Sequence, residues 1–188
     1  DVYKRQVLEN GEKFLVNWEE GQKTGFFIDQ RFNRELVRRY ARGRTVLNTF
    51  CYTGGFSVYA LAGGAREVCS IDSSERAVAL ADANVRLNFG EEAPHTSLAV
   101  DAVEYLKDIG DRYDMIILDP PAFAKHHKVL GNAMQGYKRL NARALAQIKS
   151  EGSSSLSPVR RRSARSCSAP QSSRPQPSPD ARSVSCTN

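Results

Sequence analysis

Thr45–Ala62 reads TVLNTFCYTGGFSVYALA, and the order of residue types in it decides the fold. Thr45–Asn48 is a short buried strand, Gly54-Gly55 is a turn, and Phe56–Ala62 is a helix that Gly63-Gly64 ends. The alternation continues downstream. Glu67–Ile71 is a second strand finishing at Asp72. Glu75–Asn88 is an amphipathic helix, with Ala77, Leu80, Ala81, Asn84, Val85 and Asn88 at helical spacing. Thr96–Val100 is a third strand finishing at Asp101, and Ala102–Lys107 is a short helix. Tyr113–Leu118 is a fourth strand finishing at Asp119, and Asn132–Lys149 is a long helix. Strands alternating with helices at this spacing predict an α/β fold with a Rossmann-like, doubly wound, mainly parallel sheet. Ligands of such sheets bind beyond the carboxyl ends of the strands.

Upstream, residues 7–28 read as a β-hairpin region. Asn10-Gly11 is a hairpin dipeptide, Phe14, Val16 and Trp18 alternate with polar partners, and a turn at Glu20-Gly21 leads into Phe26-Phe27-Ile28. Asp29 is expected to cap a helix running to about Arg42, with Leu36, Val37 and Tyr40 on its apolar side and Gly43 at its end. Asp1–Gln6 (DVYKRQ) is expected to be foreign sequence. The cofactor-type core is then residues 29–150.

After Ser150 the composition changes. Residues 151–188 hold twelve serines and five of the eight prolines, and no hydrophobic periodicity. This segment is expected to be disordered and translated out of frame. Codons for Glu151–Ala164 can be chosen so that one restored G turns EGSSSLSPVRRRSA into GGILFTFSCSQAVS, an apolar strand after a Gly-Gly turn. The fold is therefore expected to be incomplete at its C-terminal side. The tail also carries +4 of the net charge of +6, which leaves +2 on residues 1–150 and weakens the charge as a nucleic-acid signal. Four cysteines form no CxxC pair and no metal-ligand spacing, so neither a metal site nor a disulfide framework is expected. No run reaches the roughly 18 apolar residues of a membrane helix, and no apolar signal segment follows Asp1–Gln6. The expected compartment is the cytoplasm.

The residues that carry chemistry stand at strand ends. Gly54 and Gly55 let the backbone approach a ligand, and Asp72, at the end of the next strand, is placed to accept hydrogen bonds from ribose hydroxyls. A nicotinamide oxidoreductase would share both features, but the GxGxxG that makes room for a pyrophosphate is absent. A cofactor with a ribose and no diphosphate fits, and S-adenosylmethionine meets that description. Asp101 would face the adenine edge or cap the following helix. Asp119-Pro120-Pro121 is a stiff, extended exit from the fourth strand. It can hold carbonyls and the Asp119 carboxylate toward a planar base, with Phe123 placed to stack on it, or it can be a rigid turn only.

Taken together, EEGQKTGFFIDQRFNR (Glu19–Arg34), VLNTFCYTGGFSVYAL (Val46–Leu61), LDPPAFAKHHK (Leu118–Lys128) and GYKRLN (Gly136–Asn141) resemble the ribosomal RNA large subunit methyltransferase I family. The resemblance covers about residues 7–150. It implies a class I S-adenosylmethionine-dependent methyltransferase fold and 5-methylcytosine formation in 23S rRNA, with RNA as partner. It also implies cofactor binding by Gln30, Asn48, Tyr52, Gly54, Gly55, Asp72 and Asp101, with Asp119 and Pro120 facing the target base. Lys125, His126, His127 and Lys128 would then form a basic lip for phosphate, or a solvated loop. Two departures stand out. The family's N-terminal RNA-binding domain is absent. The family's Phe-Ser-Cys-Ser segment, whose cysteine the resemblance implies as nucleophile, is found only in the restored frame. Cys51 lies in the cofactor turn and Cys69 is expected in the core, so neither replaces it. The alternatives are amino-group methylation of a base, where Asp-Pro-Pro acts without a cysteine, and a cofactor-binding fragment without turnover. His95 is read as a solvated loop residue.

Overall fold

The computed structural model describes residues 4–17, 25–121, 130–148 and 153–156. Lys4–Glu9 (β1) and Glu12–Asn17 (β2) form an antiparallel hairpin about Asn10-Gly11. Thr45–Thr49 (β3), Glu67–Asp72 (β4), His95–Ala99 (β5), Met115–Leu118 (β6) and Ser153–Leu156 (β7) form a parallel sheet in the order β5-β4-β3-β6-β7. The helices are Arg31–Tyr40 (α1), Gly55–Ala62 (α2), Glu75–Phe89 (α3), Ala102–Tyr105 (α4) and Leu130–Gln147 (α5).

Helices cover both faces because the strands are apolar on both. On one face Val46, Val68, Met115 and Ile117 pack against Val37 of α1, Ala41 just after it, and Phe56 and Ala60 of α2. On the other, Leu47, Cys69, Ile71, Ile116 and Leu118 pack against Ala102, Leu106, Leu140 and Ala144. The hairpin docks on α2 and α3, where Phe14 and Val16 join Val58, Tyr59 and Val85. Among the described residues no helix is long and apolar enough to cross a membrane.

Several expectations need correction. The hairpin starts at Lys4 rather than at residue 7, with Lys4, Arg5 and Gln6 paired to Asn17, Val16 and Leu15. Asp29 does not cap α1. Ile28–Gln30 form a 3-10 turn closed by Gln30 N donating to Phe27 O, and the cap position falls to Gln30, which makes no side-chain cap bond. On α1, Val37 is buried as expected, but Tyr40 is 44% exposed and Arg34 is buried. Ser153–Leu156, within the segment expected to lack structure, pair with Met115–Leu118. Main-chain hydrogen bonds tolerate almost any side chain, so a serine-rich stretch can occupy the otherwise unpaired edge of β6. His95 is not a solvated loop residue: it opens β5, and its side chain is 5% exposed. Trp18 and the Glu20-Gly21 turn lie outside the described residues.

Candidate functional site

The order β5-β4-β3-β6-β7 reverses direction between β3 and β6, and such a switch point opens a crevice at the carboxyl ends of the two strands. Thr49 pairs with Leu118 there, and Thr49 Oγ1 donates to Ile117 O at 2.7 Å. The turn after β3 and Asp119 after β6 therefore leave the sheet side by side.

The turn is strained. Phe50 and Tyr52 have φ of 54° and 47°, and Gly54 has φ of 74°. Two non-glycine residues in the left-handed region cost about 1–2 kcal/mol each, so surrounding contacts must impose the shape. Cys51 N donates to Ile71 O at 3.0 Å and Gly54 N to Cys51 O at 2.8 Å. Tyr52 N donates to Asp72 Oδ2 at 3.1 Å, and Asn84 Nδ2 donates to Thr53 O at 2.8 Å. Gly54 is required twice over: its φ is positive, and a Cβ there would lie 2.8 Å from Ala81 Cβ on α3. Gly55, buried at the start of α2, lies against Arg34, whose Cδ would be 3.2 Å from an added Cβ.

Asp72 accepts from Tyr52 N and, through Oδ1, from Ser74 N at 3.0 Å. A carboxylate has about four lone-pair directions, so the pinned group can still accept from a diol. Gln30 is buried, and its Oε1 accepts from Asn33 Nδ2 at 2.6 Å. Its turn is held near Tyr52 by Phe27, whose ring meets the Tyr52 ring edge-on at 5.4 Å. Asn48 is fully buried. Its Nδ2 donates to Ser57 Oγ at 2.8 Å, while Oδ1 has no partner among the described residues. An unspent buried acceptor beside a glycine turn suits a ligand that brings hydrogen-bond donors, as S-adenosylmethionine does with its ammonium and hydroxyls. Asp101 caps α4: its Oδ1 accepts from Val103 N at 2.8 Å and Glu104 N at 2.9 Å. Any hold on an adenine edge rests on its second oxygen.

Asp119 and Pro120 are half-buried just beyond β6. The sequence reading missed Tyr137 of α5, whose hydroxyl donates to Pro121 O at 3.2 Å and steadies this exit. The signal was the Gly136–Asn141 motif, which had no role attached. It also missed Ser57 and Arg34. Burial, with Asp72 adding to it, pushes the Cys51 thiol up from its ordinary range, which disfavours the thiolate a nucleophile needs. Cys69 is buried in the core as expected. Phe123, Lys125, His126, His127 and Lys128 lie outside the described residues.

Residues 2–164 match a family described as S-adenosylmethionine-dependent methyltransferase. A ribosomal RNA large subunit methyltransferase I from Tolumonas auensis is 46% identical over 146 residues, 76% of this chain and 37% of that protein. Its namesake from Aeromonas hydrophila is 43% identical over 150 residues, 78% of this chain and 38% of that protein. The chain thus spans less than two-fifths of the length of these curated relatives. Among solved structures, a methyltransferase in complex with SAH (S-adenosylhomocysteine) superposes with a TM-score of 0.71 at 35% identity, over 83% of this chain and 42% of that one. A protein from Streptococcus mutans described as a SAM-dependent methyltransferase superposes equally well, at 34% identity over 83% of this chain and 41% of its own. The parallel sheet with its glycine turn at the switch point is therefore a methyltransferase fold, and the chain belongs to the S-adenosylmethionine-dependent methyltransferase family.

Proposed function

We propose that this chain is the cofactor-binding core of a cytoplasmic enzyme that methylates carbon five of a cytosine in 23S ribosomal RNA. The observation that carries the reading is the placement of Asp119-Pro120-Pro121 beside the turn that follows β3. A base held by the Asp119 exit would meet a cofactor held by the turn. The name shared by the Tolumonas and Aeromonas relatives supports the RNA substrate. Asp72 would take the ribose hydroxyls, Asn48, Tyr52, Gly54 and Gly55 would line the cofactor's place, and Gln30 and Asp101 would flank it. The cofactor supplies an electrophilic methyl group on sulfur. Asp119 would accept from the N–H edge of the base and stabilise charge that develops in the ring, with the Pro120 carbonyl beside it. Phe123 would stack on the base, and Lys125 and Lys128 would contact phosphate.

Addition to carbon six needs a thiolate. The two described cysteines, Cys51 and Cys69, are both buried. The FSCS segment of the restored frame would supply the thiol just after the place that β7 occupies. The 188-residue chain should therefore hold cofactor without methylating carbon five. The test fuses one RNA-binding domain to the N-terminus of this chain and of its frame-restored form, and incubates both with unmodified 23S rRNA and labelled cofactor. Labelled 5-methylcytosine is expected from the restored form alone. Equal yields from both would show the nucleophile to be misplaced. Activity of the restored form that survives loss of the FSCS cysteine would favour amino-group methylation directed by Asp119.

A further inference from the structure

Asn48, Ser70 and Ser97 stand side by side on β3, β4 and β5. A chain of hydrogen bonds runs along this polar row and up into α2 and α3. Asn48 Nδ2 donates to Ser57 Oγ at 2.8 Å, Ser57 Oγ lies 2.6 Å from Ser70 Oγ, and Ser70 Oγ lies 2.7 Å from His95 Nε2. His95 Nδ1 is 3.3 Å from Asp82 Oδ1, and Ser97 Oγ donates to Asp82 Oδ2 at 2.8 Å. Asn48, Ser57 and Ser70 are fully buried.

The direction of every bond follows from the far end. Asp82 Oδ1 lies 3.3 Å from Nδ1, an ion-pair contact, and a carboxylate favours a proton on the ring nitrogen that faces it, so in neutral His95 Nδ1 carries the proton and Nε2 accepts. Ser70 must then donate to His95 and accept from Ser57, and Ser57 must accept from Asn48. That leaves Asn48 Oδ1 as the unspent acceptor, in agreement with its lack of a partner among the described residues. The Asn48–Ser57 bond also ties the two stems of the strained turn, one on β3 and one on α2.

We infer that His95 is a positioning residue for the cofactor: through Ser70 and Ser57 it fixes which end of the Asn48 amide is left to accept at the base of the turn. The inference rests on the reading of Asn48 as a cofactor residue. A proton added to His95 makes Nε2 a donor. Ser70 then accepts from it, which frees the Ser70 hydroxyl to donate to Ser57 and the Ser57 hydroxyl to donate to Asn48. In the low-pH state we assign, this reversed order holds, and the amide turns over and presents donors where it had presented an acceptor. The charged groups that face the ring are Asp82 and Arg86 of α3, while β4 presents the Ser70 hydroxyl. Burial lowers the His95 pKa below 6.5; Asp82 opposes this and Arg86 adds to it. The neutral, cofactor-ready state therefore prevails at neutral pH and is lost as pH falls through the lowered value.

The test measures SAH affinity of the 188-residue chain by calorimetry from about pH 8 to about pH 5, with His95→Gln and Ser70→Ala alongside. The native chain should lose about tenfold in affinity on acidification, the worth of one buried hydrogen bond, with the midpoint of the His95 ring titration seen by NMR. His95→Gln should bind at pH 8 within about threefold of native and show no acid step. Ser70→Ala should keep the ring titration but uncouple binding from it. A flat native profile, or an acid step that survives in both variants, would overturn the inference. Absence of SAH binding at every pH would remove the cofactor reading itself.

Discussion

Arg34→Leu should destabilise the fold by about 3–5 kcal/mol, the cost of leaving a buried charge without its partner. Glu9 of β1 and Arg34 of α1 are 8% and 3% exposed. Arg34 Nε and Nη2 donate to the two Glu9 oxygens at 2.8 Å each, and Nη1 donates to Phe27 O at 3.0 Å. The Tyr59 hydroxyl donates to Glu9 Oε1 at 3.0 Å, and burial, with that bond adding to it, pushes the Tyr59 pKa up to about 12. The guanidinium also lies 4.5 Å over the Phe26 ring. Without it the Glu9 carboxylate stays buried beside the Tyr59 hydroxyl and the half-exposed Arg31, whose Nε lies 3.4 Å from Oε2. The hairpin loses its most buried tie to α1, keeping Arg38 on Glu12 at 2.6 Å, and the Phe27 segment loses its hold near Tyr52. Urea unfolding should show a lower midpoint with little change in slope. Removing both charges, with Glu9→Leu added, should recover much of the loss, because no buried charge is then left unpaired. A double variant less stable than Arg34→Leu alone would mean that the ion pair is not the source of the effect.

Gly63→Ala should cost about 3 kcal/mol or more, at the upper end of overpacking penalties. The backbone of Gly63 is ordinary, with φ of −79°. The obstacle is space: an added Cβ would lie 2.1 Å from Arg38 O and 2.8 Å from Arg38 C. Both atoms are backbone of α1, so α1 and α2 must move apart, and Arg34 moves away from Gly55 with them. Gly90 gives the contrast. Its φ is +80° but nothing lies within 4 Å of an added Cβ. With ψ of −173° it lies in a backbone region that glycine alone adopts readily, so Gly90→Ala should cost only that backbone strain, about 1–3 kcal/mol. Thermal unfolding of the two variants under one buffer ranks them. A larger loss at Gly90 would contradict the close approach of the two helices.

Strands β3, β4 and β6 and the helices between them were legible in the sequence because each of these strands is a short apolar run that leads to a polar residue, and the helices repeat with their own period. Asp72 and Asp119 were legible for the same reason: topology puts strand ends at the crevice, whatever the side chain. What escaped depends on partners distant in sequence. Arg34 looks like a solvent-facing charge on α1, and its partner Glu9 lies 25 residues upstream. His95 looks like a lone polar residue, and its hydrogen bond to Ser70 crosses from β5 to β4. Asp29 looks like a helix cap, yet a 3-10 turn moves the start of α1 beyond it. Strand β7 was hidden because Ser-Ser-Ser-Leu carries no hydrophobic pattern, and only the open edge of β6 calls for a neighbour.

The central claim is that the switch-point turn, with Asp72 opposite it, holds a ribose-bearing cofactor without a diphosphate. Calorimetry of the 188-residue chain with SAH and, separately, with NAD tests it directly. SAH should bind, NAD should not, and Asp72→Ala should weaken SAH binding by about 1–3 kcal/mol through loss of the hydroxyl acceptor. Binding of NAD with no binding of SAH, or SAH binding unchanged by Asp72→Ala, would contradict the account.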